Sequence, residues 1–262
     1  MALISPFGGS LLSLSLNGAK LISTENMPNP DGIFFGKLMA PWPNRLRDGR
    51  YELGGTSYQF ENLDALGNLN HGLIGRRELE VVEHQADYLS LRYHFGADTG
   101  YPFDVLFTAS FQLVDNGLDV ELVALNQGST AAPFACGQHP YFLAGENFRL
   151  SGDFTHHVIT DERMLPQGIE EISGFDYREG YLDGCYFGAR MVQLVTDDYN
   201  LEVELGENMD YFMLYRPSLE VGESLLAIEP MSAMANVFAE DIESVLIAPG
   251  EEKRFNYRIR IR

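Results

Sequence analysis

Two long runs of alternating apolar and polar residues constrain the fold of this chain more than any other feature. Residues 103–114 read FDVLFTASFQLV and residues 118–125 read LDVELVAL. A period of two places apolar side chains on one face of a strand and polar ones on the other. Between the runs lies Asp115-Asn116-Gly117, residue types that tolerate positive φ, so the two read as an antiparallel hairpin. Residues 88–95, 201–205, 211–215 and 255–261 are further strands, and Leu12, Leu14 and Leu16 alternate with serines in the same way. Asn17-Gly18, Asp48-Gly49, Gly54-Gly55, Pro166-Gln167-Gly168 and Pro249-Gly250 are expected turns. Only residues 236–245 read as a short helical turn. Many short strands with almost no amphipathic helix predict an all-β protein, a large antiparallel β-sandwich or barrel. With no linker, repeat or low-complexity tract, the 262 residues are expected to form one domain, 1–262.

Charge narrows the partners. Eighteen basic residues face 38 acidic ones, for a net charge of −20. Such a surface repels nucleic acid and anionic membranes, so a small molecule is the expected partner, although a local basic pocket is compatible with the balance. No run is apolar and long enough for a membrane-spanning helix, and the N-terminus lacks the basic start of a signal peptide. Cytoplasmic location is the default expectation. The two cysteines, Cys136 and Cys185, form no CxxC motif and are expected to be buried reduced thiols.

Five clusters hold residues able to carry chemistry. Pro41-Trp42-Pro43-Asn44-Arg45 places the only tryptophan near a guanidinium, which suits sugar recognition: the ring covers an apolar face and the guanidinium reads paired hydroxyls. The plainer reading is a surface loop. In His71-Gly72 the glycine lets a ligand or a backbone approach closely, while a lone histidine is more often structural. In Gln138-His139-Pro140-Tyr141 a histidine able to act as acid or base is fixed by proline; the alternative is a packed edge strand. In residues 225–231 an apolar strand runs into Glu229, whose burial would raise its pKa unless a structural ion pair holds it. Asp183-Gly184 offers a carboxylate for a hydroxyl, or a turn aspartate. His156-His157, adjacent on a strand, would point to opposite faces, which argues against joint metal ligation. GxSxG, Walker A and GxGxxG are absent.

Taken in order, these segments resemble the aldose 1-epimerase (galactose mutarotase-like) family. The likeness spans nearly the whole chain: Pro43-Asn44-Arg45, Asp48-Gly49-Arg50-Tyr51, His71-Gly72, Tyr101-Pro102-Phe103, Asn126, His139-Pro140-Tyr141-Phe142, Leu165-Pro166-Gln167-Gly168, Leu182-Asp183, Glu229-Pro230-Met231 and Pro249-Gly250-Glu251. The resemblance is strongest to a divergent bacterial branch. It implies a β-supersandwich with an open sugar-binding cleft. It implies Glu229 as general base and His139 as general acid. Arg45, His71 and Asp183 would hold sugar hydroxyls, with His71 close to the ring oxygen. It implies interconversion of the anomers of a free aldose with no metal, nucleotide or redox cofactor. The chain departs from the family pattern at Leu79, where tryptophan is common, and at Ser232-Ala233-Met234-Ala235, where prolines are common; these departures bear on the substrate more than on the mechanism. Four rival readings remain. His71, His139 and Glu229 or Asp183 could hold a metal in a sugar isomerase or oxygenase. Glu229 and Asp183 could be the paired carboxylates of a glycosidase. The cleft could bind a sugar without turnover. Arg45, Arg47, Arg50, Arg76 and Arg77 could select a hexose phosphate.

Overall fold

The structure, a computed structural model, describes residues 1–25, 27, 29–217 and 225–262. The long alternating runs form the middle of a nine-stranded antiparallel sheet. Its order runs from Phe175–Tyr177 through Phe148–Gly152, Met191–Thr196, Asn200–Leu205, Glu252–Ile261, Gly117–Asn126, Val105–Val114 and Tyr88–His94 to Glu80–His84. The expected hairpin is present, with Val114 opposite Gly117 across Asp115-Asn116. None of the three turn residues takes a positive φ. Gly117 is required for another reason. A Cβ there would lie 2.3 Å from the carbonyl oxygen of Ile259 on the neighbouring strand.

The second large sheet is also antiparallel. It runs from Pro166–Glu171 through His156–Thr160, Asp183–Phe187, Tyr211–Tyr215 and Leu225–Met231 to Gly137–Gln138 and Leu38–Met39, and Tyr141–Leu143 pairs with Leu225–Met231 as well. The expected turn at Pro166-Gln167-Gly168 is instead the start of its edge strand. Pro166 takes the first position, where a missing N–H is tolerated. The turn falls earlier, where the Asp161 carboxylate accepts from the amides of Arg163 and Leu165 and Met164 adopts φ +60°. Among the described residues helix is confined to short pieces, including Val237–Glu240 and Ile242–Val245, where the sequence pointed to a helical turn.

One continuous apolar core draws on both sheets: Phe107, Leu122 and Phe255 from the first, Phe212, Leu214 and Ile228 from the second. By the period-two rule, the other face of the second sheet carries the intervening residues. These are Asp183, Cys185, Met213, Tyr215, Glu229 and Met231, in strands locked together by the pairs Cys185–Met213 and Met213–Glu229. Both cysteines are buried and unpaired.

Candidate functional site

Glu229 lies in Leu225–Met231, where all seven residues are buried. On one flank, the partner strand is broken into Gly137–Gln138 and Tyr141–Leu143. Gly137 pairs with Met231 and Tyr141 with Ala227, a common register that sets His139 opposite Glu229. Pro140 and Pro230 have no amide hydrogen to donate, so the ladder opens here. This is a gap inside a sheet, not the edge that Pro140 suggested. The His139 backbone is held by the loop before Leu38: its amide donates to the Lys37 carbonyl and its carbonyl accepts from Gly36, at 2.9 and 2.8 Å. The ring stacks on Tyr141 at a centroid distance of 4.8 Å.

His139 Nε2 and Glu229 Oε1 are 3.3 Å apart, in side chains only 6% and 2% exposed. Burial, reinforced by Asp183 and opposed by Arg45, raises the Glu229 pKa well above its ordinary 4.5. Burial pushes His139 down to about 3. The two shifts have one meaning: each group disfavours its charged form. A neutral carboxyl beside a neutral imidazole is thus favoured over the ion pair, and that state holds one proton between the two groups.

His71 arrives differently. It takes φ +62° and Gly72 φ +66°, turning the chain so that Gly72 bridges to Ala40. A Cβ on Gly72 would lie 2.2 Å from the Ala40 carbonyl oxygen. The glycine thus admits backbone. The His71 ring stacks on Phe34 at 4.6 Å, meets the His139 ring edge-to-face at 5.2 Å, and places Nδ1 3.0 Å from the Met39 sulfur. Burial, aided by His139, Arg45 and Arg76, holds it well below 6.5. Thioether sulfur only accepts, so this contact puts the His71 proton on Nδ1 and leaves Nε2 as an acceptor.

Arg45, His71, His139, Asp183 and Glu229 all line one cavity of about 400 Å³. Asp183 opens its strand opposite Tyr215, and its carboxylate accepts from the Tyr181 hydroxyl at 3.4 Å. Burial raises its pKa, against Arg45 and that hydrogen bond. Arg45 pairs in register with Asn70 and donates to the Asn44 side chain at 3.2 Å. Phe34, Lys37, Asn70, Arg76 and Tyr215 complete much of the wall. Only Arg76 among these was a sequence candidate; the others sit in segments whose patterning signals strands or turns and nothing more. Four buried polar atoms of the wall, Arg45 Nε, Asn70 Oδ1, His139 Nδ1 and Glu229 Oε2, have no hydrogen-bond partner among the described residues.

Other candidates fall outside. Trp42 is 1% exposed and packs in the core against Phe60 and Phe238, so it is neither a sugar platform nor part of a surface loop. Arg47, Arg50 and Arg77 pair with Glu240, Glu52 and Asp98. His157 pairs with Glu170 on the face opposite His156. Among the described residues, no three His, Cys, Asp or Glu side chains are grouped to hold a metal ion, and no helix is long and apolar enough to cross a membrane.

A buried carboxyl–imidazole pair thus lines a polar cavity on one face of a two-sheet antiparallel assembly. The chain belongs to the aldose 1-epimerase family, whose model matches residues 1–260. It is 27% identical to the uncharacterized protein YihR of Escherichia coli K12, over 98% of this chain and 89% of that one. Its fold matches an aldose epimerase homologue from C. elegans with a TM-score of 0.85 at 19% identity, covering 100% of this chain and 95% of that one. It also matches the galactose 1-epimerase of Lactobacillus acidophilus with a TM-score of 0.81 at 18% identity, covering 100% and 90%.

Gly72→Ala is expected to destabilise the protein by at least about 1–3 kcal/mol, because alanine must adopt a left-handed conformation against the Ala40 carbonyl. Urea unfolding measures it. An unchanged midpoint would mean that the turn carrying His71 shifts freely.

Proposed function

We propose that this protein is an aldose 1-epimerase, interconverting the α and β anomers of a free aldose. The observation that carries the reading is the buried Glu229–His139 pair, one proton between two groups beside a polar cavity. A cyclic aldose opens when its C1 hydroxyl loses a proton and its ring oxygen gains one. In this reading Glu229, as carboxylate, takes the hydroxyl proton. The O–H electrons form C1=O, the C1–O5 bond breaks, and O5 takes the proton of His139. Rotation about C1–C2 turns the other carbonyl face inward, and the reverse transfers close the ring. Opening starts once the proton has passed from Glu229 to His139, as carboxylate and imidazolium, and ends with carboxylic acid and imidazole, the form the buried pair favours at rest. Both states hold one proton, so the site is restored after every cycle, and the chemistry calls on no further cofactor.

Arg45, Asp183 and His71 orient the ring in this reading. The free Nε2 of His71 accepts from a hydroxyl and does not itself face the ring oxygen, which has no proton to give. Glu229→Gln keeps the shape and removes the base. Its kcat for anomer exchange, followed by polarimetry or NMR over a panel of sugars, should fall about 10²–10⁴-fold. Undiminished turnover would remove Glu229 from the role.

The pH dependence follows from the two shifts. Acid adds a second proton to the pair and abolishes the base; alkali removes the single proton and abolishes the acid. The acid limb of kcat/KM is therefore expected well below 6.5, toward about 3, and the alkaline limb well above 4.5. An acid limb near histidine's ordinary value would contradict the shared proton.

One observation favours a second reading. Of the five arginines that suggested a phosphorylated sugar, Arg45 and Arg76 line the cavity and form no ion pair among the described residues. In that reading Arg76 meets an anionic substituent. A hexose phosphate should then be exchanged faster than the free hexose, and Arg76→Gln should erase the preference. Equal rates would leave the neutral aldose as substrate.

A further inference from the structure

The cavity is built on two frameworks. His139, Asp183, Tyr215 and Glu229 stand on or between strands of the second large sheet. Arg45, Asn70 and His71 stand on a separate ribbon. Arg45–Arg47 and Asn68–Asn70 form a two-stranded antiparallel sheet of their own, with Arg45 opposite Asn70 and Arg47 opposite Asn68, and His71 follows directly. The two groups of side chains act on one ligand only if ribbon and sheet keep a fixed relation. At its His71 end the ribbon meets the sheet through the Gly72–Ala40 bridge and the Met39 contact. Along the Arg45–Arg47 edge, the Asn236 amide donates to the Arg45 carbonyl at 2.6 Å, and its side-chain oxygen accepts from the Arg47 amide at 2.9 Å.

The far end of the ribbon, where the chain leaves through Asp48 and returns through Gly67-Asn68, is gripped by Arg163. This residue sits in the turn between His156–Thr160 and Pro166–Glu171, the edge hairpin of the second large sheet. Its Nε donates to the Leu66 carbonyl at 2.9 Å. Its Nη2 lies 2.8 Å from the Gly67 carbonyl oxygen, 2.8 Å from the Asp48 carboxylate and 3.0 Å from the Asn68 side-chain oxygen. Asn68, itself fully buried, returns the contact: its side-chain amide donates to the Arg163 carbonyl at 3.0 Å. The loop so held is stiff, because the Asp64 carboxylate accepts from the amides of Leu66 and Asn68 at 2.9 and 2.8 Å. An exposed pair with Asp48 alone would contribute little. The other acceptors are two carbonyls and a buried amide, and serving them from two nitrogens requires a planar fork. Arg47 and Asn68 lie two residues from Arg45 and Asn70, about 7 Å along the strands. Arg163 therefore acts through the ribbon.

We propose that Arg163 is a positioning residue for the ligand-holding half of the cavity, setting where Arg45, Asn70 and His71 stand relative to Glu229 and His139. The proposal rests on the epimerase reading for its kinetics, but not for binding. Groups that hold ring hydroxyls do so before and during ring opening alike, so displacing them weakens ground state and transition state together. That raises KM and leaves kcat. Glu229 and His139 keep their own sheet and their geometry.

The experiment uses Arg163→Lys, which keeps the charge but cannot serve two carbonyls in one plane, and Arg163→Gln beside it. In both, amide hydrogen exchange of residues 45–47 and 68–70 should speed up tenfold or more, with residues 225–231 unchanged. Over a panel of aldoses that includes galactose and glucose, KM by polarimetry and Kd by calorimetry should rise about three- to tenfold, the range expected of one misplaced hydrogen bond. The kcat for anomer exchange and both of its pH limbs should stay as in the wild type. Unchanged amide exchange in the ribbon overturns the proposal. So does faster amide exchange with KM and Kd unmoved, or a fall in kcat at constant KM; each leaves Arg163 a structural clamp and the epimerase reading intact. Sugar binding that weakens in both variants, in a wild type that speeds no anomer exchange, upholds the proposal and sinks the epimerase reading. A wild type that binds none of the panel overturns both.

Discussion

The proton shared by Glu229 and His139 is the constraint on which the rest of the site depends. Two buried charges 3.3 Å apart would have to recover the desolvation of both ions. A neutral acid beside a neutral imidazole avoids that loss and still stores the proton. The arrangement needs water excluded from both sides, and a strand buried along its whole length supplies this. It also needs a second side chain brought to the carboxyl without a continuous ladder between them. The break at Pro140 and Pro230 meets that need, because neither residue can donate across the gap. Local backbone chemistry and acid–base chemistry are thus set by the same few residues.

Glu229 and His139 were legible because each combines a chemically active side chain with a neighbour that disrupts its strand. The hairpin at residues 105–126 was legible because period-two patterning is local. Pro166-Gln167-Gly168 has turn-forming composition, yet pairing with His156–Thr160 carries it into an edge strand. Trp42 misled for a related reason. Prolines and arginines around it suggest a surface, while the packing of Phe60 and Phe238 that buries it comes from distant segments. Phe34, Asn70 and Tyr215 left no signal, since their place in the wall depends on which strands become neighbours.

Global charge proved a weaker guide than local charge. A surplus of 20 negative charges describes the surface, but a ligand in the cavity meets Arg45, Arg76 and Lys37 as well as Asp183 and Glu229. The departures from the family pattern are also placed informatively. Leu79 is a core residue, and none of Ser232, Ala233, Met234 and Ala235 lines the cavity. They fall in the packing behind the site and the ground beside it, outside the cavity wall.

The unpaired atoms of the wall make the chemical class of ligand a physical matter. A buried polar atom without a partner costs about 1–3 kcal/mol, so folded proteins hold few of them. Here four belong to residues around one cavity. Asn70 Oδ1 can only accept and Arg45 Nε can only donate; with the shared proton between Glu229 Oε1 and His139 Nε2, Glu229 Oε2 accepts and His139 Nδ1 donates. A ligand with only acceptors would leave Asn70 unmet, and one with only donors would leave Arg45 unmet. Hydroxyl groups donate and accept at once, and a ring bearing several of them can answer all four positions in one orientation.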